Sequence, residues 1–139
     1  MSQENVEKAR EFIAAYNRRD FDAAVESFDP EIEWVLPERQ SSDSCRGPDE
    51  VKRFWKGLDE TFDELKLLPQ EFVDAGDRVA TRLRHYGRGK RSGVELGEVG
   101  AKGAHIFHVR DRKVVKRVFY MDRDRALGDI GLDPEGDAE

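Results

Sequence analysis

The apolar pattern of this chain predicts an α+β fold, a curved antiparallel sheet wrapped on three N-terminal helices. Three observations carry that expectation. Helical periodicity runs from Glu4 to Phe62, with one alternating stretch inside it. From Pro69 onward the period becomes that of strands, broken by turn signals. The strand-like stretch 93–103 carries Gly97, Gly100 and Gly103, which inside a strand mark bulges and sharp bending.

The elements follow in order. Val6, Ala9, Ile13 and Tyr16 form one stripe of a helix over 4–18, with Phe12 beside it. Asn17-Arg18-Arg19-Asp20 breaks that helix, and Asp20 is placed to cap the next. Phe21, Ala24, Val25 and Phe28 give the second helix its apolar face, and Asp29-Pro30 is expected to stop it. Ile32, Trp34 and Leu36 alternate with Glu31, Glu33 and Val35, as a strand with one apolar face does. After a polar loop over 37–47, Pro48 suits the first turn of a third helix. Its buried stripe is Val51, Phe54, Trp55, Leu58 and Phe62. Four strands follow, separated by turns at Asp74–Asp77, Gly87–Gly93 and Arg110–Arg112, and a short helix closes the chain.

A chain of 139 residues makes one domain, over 1–132, with a polar C-terminal tail over 133–139. No apolar run is long enough to span a bilayer, and the N-terminus lacks the apolar stretch of a signal peptide. A cytoplasmic location with no membrane partner is the expectation. Cys45 is the single cysteine, so no internal disulfide forms; it reads as a loop or pocket-rim thiol. The net charge of −6 argues against a general nucleic-acid partner, although Arg78, Arg82, Arg84, Arg88, Lys90 and Arg91 cluster on one hairpin. Gly87 to Gly93 mimics a phosphate loop but opens a strand, so no nucleotide site is expected there. No cofactor and no metal are expected.

A bent sheet on helices leaves a concave face that its own helices do not fill. At this point the chain resembles the SnoaL-like family of the nuclear transport factor 2-like superfamily. The residues that carry the resemblance are Phe12 to Asp22, Ile32-Glu33-Trp34, Arg46 to Val51, the hairpin Ala104 to Met121 and Asp122 to Leu127. The resemblance implies a cone-shaped barrel (a cystatin-like roll), a pocket between sheet and helices, and a homodimer. The same superfamily hosts isomerases, dehydratases, epoxide hydrolases, polyketide cyclases and non-catalytic binders. In ketosteroid isomerases, which are similar in the first helix and strand, the oxyanion-holding tyrosine falls at Phe12 and the base aspartate at or beside Trp34. Their third polar group falls at His105. The aspartate of limonene-type epoxide hydrolases falls at Phe119. Glu33 lies on the opposite parity from Trp34, so no inward carboxylate is placed for cyclase chemistry.

The hairpin Ala104 to Met121 carries the candidate site. With Arg110-Asp111-Arg112 as a three-residue loop and Arg112 left-handed, residues 105, 107 and 109 face 119, 117 and 115. His105, Phe107, Val109, Val115, Arg117, Phe119 and Met121 then point inward. Ile106, His108, Val118 and Tyr120 point outward and would meet a second subunit. A two-residue turn would instead pair 105 with 118 and invert the reading. His105 is the candidate general acid or base. Tyr16, Trp34, Trp55, Phe107 and Phe119 are the candidate walls of an apolar pocket, and Arg117 is its candidate anchor for a ligand carboxylate. For the strand 78–86, simple apolarity favours Val79, Thr81, Leu83 and His85 as the inward set, while the resemblance supports either that face or the one made by Ala80, Arg82, Arg84 and Tyr86. Folding about Lys90-Arg91 sets His85 near Leu96 and apart from His105, against a zinc site. The expected partner is a small hydrophobic, cyclic organic molecule. The alternative is a small enzyme of isomerase, cyclase or dehydratase type.

Overall fold

The computed structural model describes residues 2–35, 44–95 and 103–135. The expectations for Leu36, the loop after it, Leu96, Gly97, Gly100 and the last residues of the tail lie outside them. The order is α1 (Ser2–Asn17), α2 (Phe21–Glu26), β1 (Phe28–Val35), β2 (Cys45–Arg46), α3 (Pro48–Thr61), β3 (Phe62–Asp74), β4 (Arg78–Gly89), β5 (Ala104–Arg110), β6 (Lys113–Tyr120) and α4 (Arg123–Asp129). The fold is α+β, a curved and unclosed sheet with helices α1 to α3 on its concave side. The strands run β2-β1-β6-β5-β4-β3. All neighbours are antiparallel except β1 and β6, which are parallel.

Local chemistry explains the helix boundaries. Asp20 caps α2 by accepting a hydrogen bond from the Ala23 N–H at 3.1 Å. The helix then ends at Glu26, earlier than Asp29-Pro30 suggested, because Phe28 already pairs with Val114 as the first residue of β1. Pro48 opens α3 as expected. That helix stops one residue before Phe62, which begins β3 directly, so the sheet starts earlier than Pro69. No glycine or proline marks that junction, and the apolar stripe of α3 simply runs on into the strand.

The two sides of the sheet are covered differently. On the concave side, Phe12 is the hub of an aromatic core. Its ring lies 5.5–5.9 Å from those of Phe28, Trp34, Trp55 and Phe107. On the convex side, Ala80, Ala104 and Ile106 pack beneath Ala126, Leu127 and Ile130 of the α4 region. Arg123 locks α4 to β3 through a forked ion pair with Glu71, at 2.7 and 3.0 Å. Ile106 is therefore 1% exposed in the single chain, and Tyr120 packs against the same cluster. At these positions the apolar outward set packs against α4. Val118 is also buried, while His108 is half-buried.

Candidate functional site

The site begins with the β5–β6 turn. Asp111 and Arg112 are both left-handed, with φ of 52° and 65°, and Arg110 pairs with Lys113. This is a two-residue turn, not the three-residue loop expected. Such a turn alone would have set His105 against Val118. A bulge restores the other register: Val109 faces Val114, but His108 faces Lys116, so Val115 is the extra residue. Beyond it His105 pairs with Phe119 and Phe107 with Arg117. Val114, not Val115, therefore points inward, and it is 1% exposed. Met121, expected inward, is 50% exposed just past the strand end. The bulge is what turns Arg117 toward the concave side.

Arg117 is buried there, at 3% exposure. Its guanidinium carbon sits 3.6 Å from the centroid of the Trp34 ring, a stacked cation–π contact. Trp34 reaches it because β1 and β6 are parallel neighbours in which Trp34 pairs with Arg117. Among the described residues no carboxylate forms an ion pair with Arg117. Burial lowers its pKa to about 9, with the nearby Cys45 acting in the opposite direction. Cys45 itself lies in β2 opposite Trp34, and burial raises its thiol pKa.

His105 meets a second imidazole. Its Nε2 lies 3.4 Å from Nε2 of His85. The expectation that these side chains stay apart is corrected. The residue paired with His105 is Thr81, and His85 shares the inward face of β4 with Thr81 and Leu83. Two long side chains close the diagonal across the concave surface that strand register alone leaves open. One ring must donate and the other accept, so the pair shares one proton between the facing nitrogens. Burial, with Arg117 second, lowers the pKa of both rings, that of His105 well below the ordinary value. Both imidazoles are neutral at pH 7. Among the described residues no cluster of three metal-ligating side chains forms.

These groups border a cavity of about 210 Å³. Tyr16, Trp34, Trp55, Arg117 and Phe119 line it, as expected, together with His105. Phe107 does not. It is sealed at 1% exposure between Phe12 and the His105 ring, so it belongs to the core. Phe12 and Phe54, which the sequence places on or beside helix stripes and not among the candidate walls, do reach the cavity. The wall is completed by Leu58 of α3, by Phe62, Leu65 and Leu67 of β3, and by Leu83, His85 and Tyr86 of β4, with exposed Lys66 on the solvent side. Sequence reasoning misses the β3 contribution because Leu65 turns inward at a bulge. Glu64 there is left-handed, with φ of 57°. The β3 wall is held by the Asn17 side chain, which exchanges two hydrogen bonds with the Leu67 backbone at 2.7 and 2.8 Å, as a strand neighbour would. Arg19 adds a 2.6 Å bond to the Leu65 carbonyl and a 3.2 Å ion pair with Asp59. The Tyr16 hydroxyl is kept protonated, its pKa raised by burial.

Residues 9–117 match the SnoaL-like domain family. The chain belongs to the SnoaL-like family. None of the curated proteins matches it. Among solved structures, this SnoaL-like chain is similar to an NTF2-like protein of unknown function from Burkholderia pseudomallei. The two are 22% identical, the match covers 90% of this chain and 95% of that one, and the TM-score is 0.74. It is similar also to a protein of ketosteroid isomerase-like fold from Catenulispora acidiphila in complex with trimethylamine. There the identity is 15%, the coverage 93% and 95%, and the TM-score 0.70. A third is TerC co-crystallized with polyporic acid, at 22% identity, 91% and 97% coverage and a TM-score of 0.67. At these identities the likeness concerns the fold.

Proposed function

We propose that this SnoaL-like chain binds a small hydrophobic, cyclic organic molecule between its sheet and its helices. One observation supports the reading above others: a void bordered by aromatic and leucine side chains, in a domain whose other aromatic residues pack without one. A well-packed interior leaves few voids larger than a water molecule. An apolar cavity of roughly 150 Å³ is known to take up benzene, so about 210 Å³ suits a single substituted ring. The void lies below the roughly 300–1,000 Å³ usual for drug-sized ligands, which argues against a multi-ring occupant without opening.

The His85–His105 pair favours a second reading, a small enzyme in which His105 gives or takes a proton. A neutral imidazole at pH 7 is competent as a base. The reading lacks an orienting carboxylate, since no aspartate or glutamate lines the cavity among the described residues. Binding without chemistry is therefore the preferred function.

The test is a thermal-shift series with toluene and indole, repeated on Leu58→Trp. Ligand binding raises the melting temperature by mass action. A shift in the wild-type protein that disappears when the tryptophan fills the cavity supports the reading. No shift with either probe overturns it.

A further inference from the structure

Buried polar groups without partners are uncommon, and in this fold they gather in one place. Among the described residues, five buried side-chain atoms lack a hydrogen-bond partner: Trp34 Nε1, Arg78 Nε, Thr81 Oγ1, His105 Nδ1 and Arg117 Nε. Three of these residues, Trp34, His105 and Arg117, line the cavity, and Thr81 is the strand neighbour of His105. Each unmet group carries an uncompensated desolvation cost, and a guanidinium carries a larger one. A cluster of this kind calls for a cause, and an absent ligand is one.

The unmet groups have a shared chemistry. Indole Nε1–H and guanidinium Nε–H donate and do not accept. The charged side chains that border the cavity are Arg117 inside and Lys66 at its solvent side, both cationic, while the protein as a whole carries −6. The imidazole pair is neutral and still leaves His105 Nδ1 unmet. The residues that border the void thus include two unmet donors and a buried positive charge, with no carboxylate among them. The void lacks what an anionic oxygen would bring.

Resting on the pocket reading above, we infer that the ligand is a planar cyclic acid, with its ring against the leucine and aromatic walls and its carboxylate or enolate oxygen on Arg117. The 3.6 Å contact with the Trp34 ring holds the guanidinium in place, so little side-chain entropy is lost when an anion binds it. Fold likeness does not choose between an acid and an amine, because structural neighbours have been solved with one of each. A buried cation chooses: an ammonium ligand would meet Arg117 unscreened.

The experiment compares benzoate, toluene and benzylamine by isothermal titration at pH 7, on the wild-type protein, Arg117→Gln and Arg117→Lys. Benzoate is expected to bind about 10- to 100-fold more tightly than toluene, with benzylamine weakest. Arg117→Gln should remove the benzoate preference over toluene, and a cooperative melt with an unchanged circular dichroism spectrum shows that the variant keeps its fold. Arg117→Lys should keep part of the preference, since the charge survives but the fork does not. Toluene binding equal to or tighter than benzoate overturns the acid assignment and leaves the hydrophobic pocket standing. A benzoate preference that survives Arg117→Gln overturns Arg117 as the anchor. Failure of both benzoate and toluene overturns the pocket itself, and the acid with it.

Discussion

The two halves of the β5–β6 hairpin present the same inward parity to very different surroundings. Near the turn, Val109 and Val114 enter the solid aromatic core with Phe12 and Phe28. Toward the open end, His105 and Phe119 face the cavity, and the boundary falls on one cross-strand pair, with Phe107 in the core and Arg117 at the cavity. Alternation along a strand decides which side a residue faces. It does not decide whether a helix fills the space beyond. Filled space gives stability, and unfilled space gives a site.

The sharpest test of that contrast pairs two phenylalanines. Phe107→Ala is expected to destabilise the fold by about 3–5 kcal/mol, the usual loss for a sealed aromatic. Phe119→Ala, half-buried and already beside a void, is expected to lose less than about 1.5 kcal/mol. Urea unfolding of both variants decides it. Equal losses would mean that the hairpin has no open half.

Acid should weaken the open half. The folded pKa of His105 and of His85 lies below the ordinary 6.5, and burial is the main cause for each. The unfolded chain therefore binds protons more readily than the folded one. Stability is complete above pH 6.5 and falls as the pH drops below that value, by up to about 1.4 kcal/mol per pH unit for each ring. The groups facing the pair are Arg117 from β6, Lys66 from β3, Tyr86 from β4 and Tyr16 from α1, so no neighbouring carboxylate offsets the new charge among the described residues. Melting temperatures between pH 7.5 and 5 should fall steeply for the wild-type protein and less steeply for His105→Phe. Parallel curves would show that the rings titrate as if exposed.

A smaller effect separates function from stability at Arg117. A buried cation without a counter-ion is a burden on the unliganded fold, so Arg117→Met should raise stability by about 1 kcal/mol, after the lost cation–π contact is offset. Benzoate binding should vanish in the same variant. Burial lowers the pKa of Arg117 to about 9, so benzoate affinity is expected to be lower at pH 10 than at pH 7. Cys45 acts on this charge against burial, and its own thiol pKa is raised by burial. Titration calorimetry at pH 7 and pH 10 reads the difference.

Much of the fold and of the site is legible in the chain itself. Helical stripes, the Asp20 cap and Pro48 at the start of α3 all follow from spacing and local chemistry, while the inward face of β4 is settled only by its packing. Parity and resemblance together place His105, Arg117, Trp34, Tyr16, Trp55 and Phe119 at the cavity, and they line it. What escapes depends on departures from regular pairing or on tertiary curvature. Leu65 enters through a left-handed Glu64, which no sequence rule would suggest. The His85–His105 contact needs the curvature of the sheet. Phe107 fails as a wall because α1 sends Phe12 against it. The outer face of β5 is covered where α4 packs across Ile106, a contact with no local signature in the sequence.

The hairpin turn offers the mildest test and concerns the register on which the site depends. Asp111 and Arg112 occupy a two-residue turn with both φ positive, the geometry that favours Asn-Gly. An arginine there carries a backbone penalty of about 1 kcal/mol that glycine avoids. Replacing Asp111-Arg112 with Asn-Gly should therefore stabilise the protein by about 0.5–1 kcal/mol, partly offset by the greater freedom of glycine in the unfolded chain. Because the bulge at Val115, and not the turn, sets His105 against Phe119, ligand affinity should not change. If the turn replacement instead altered benzoate binding, the turn would govern the register, and the bulge would not be what aims Arg117 at the cavity.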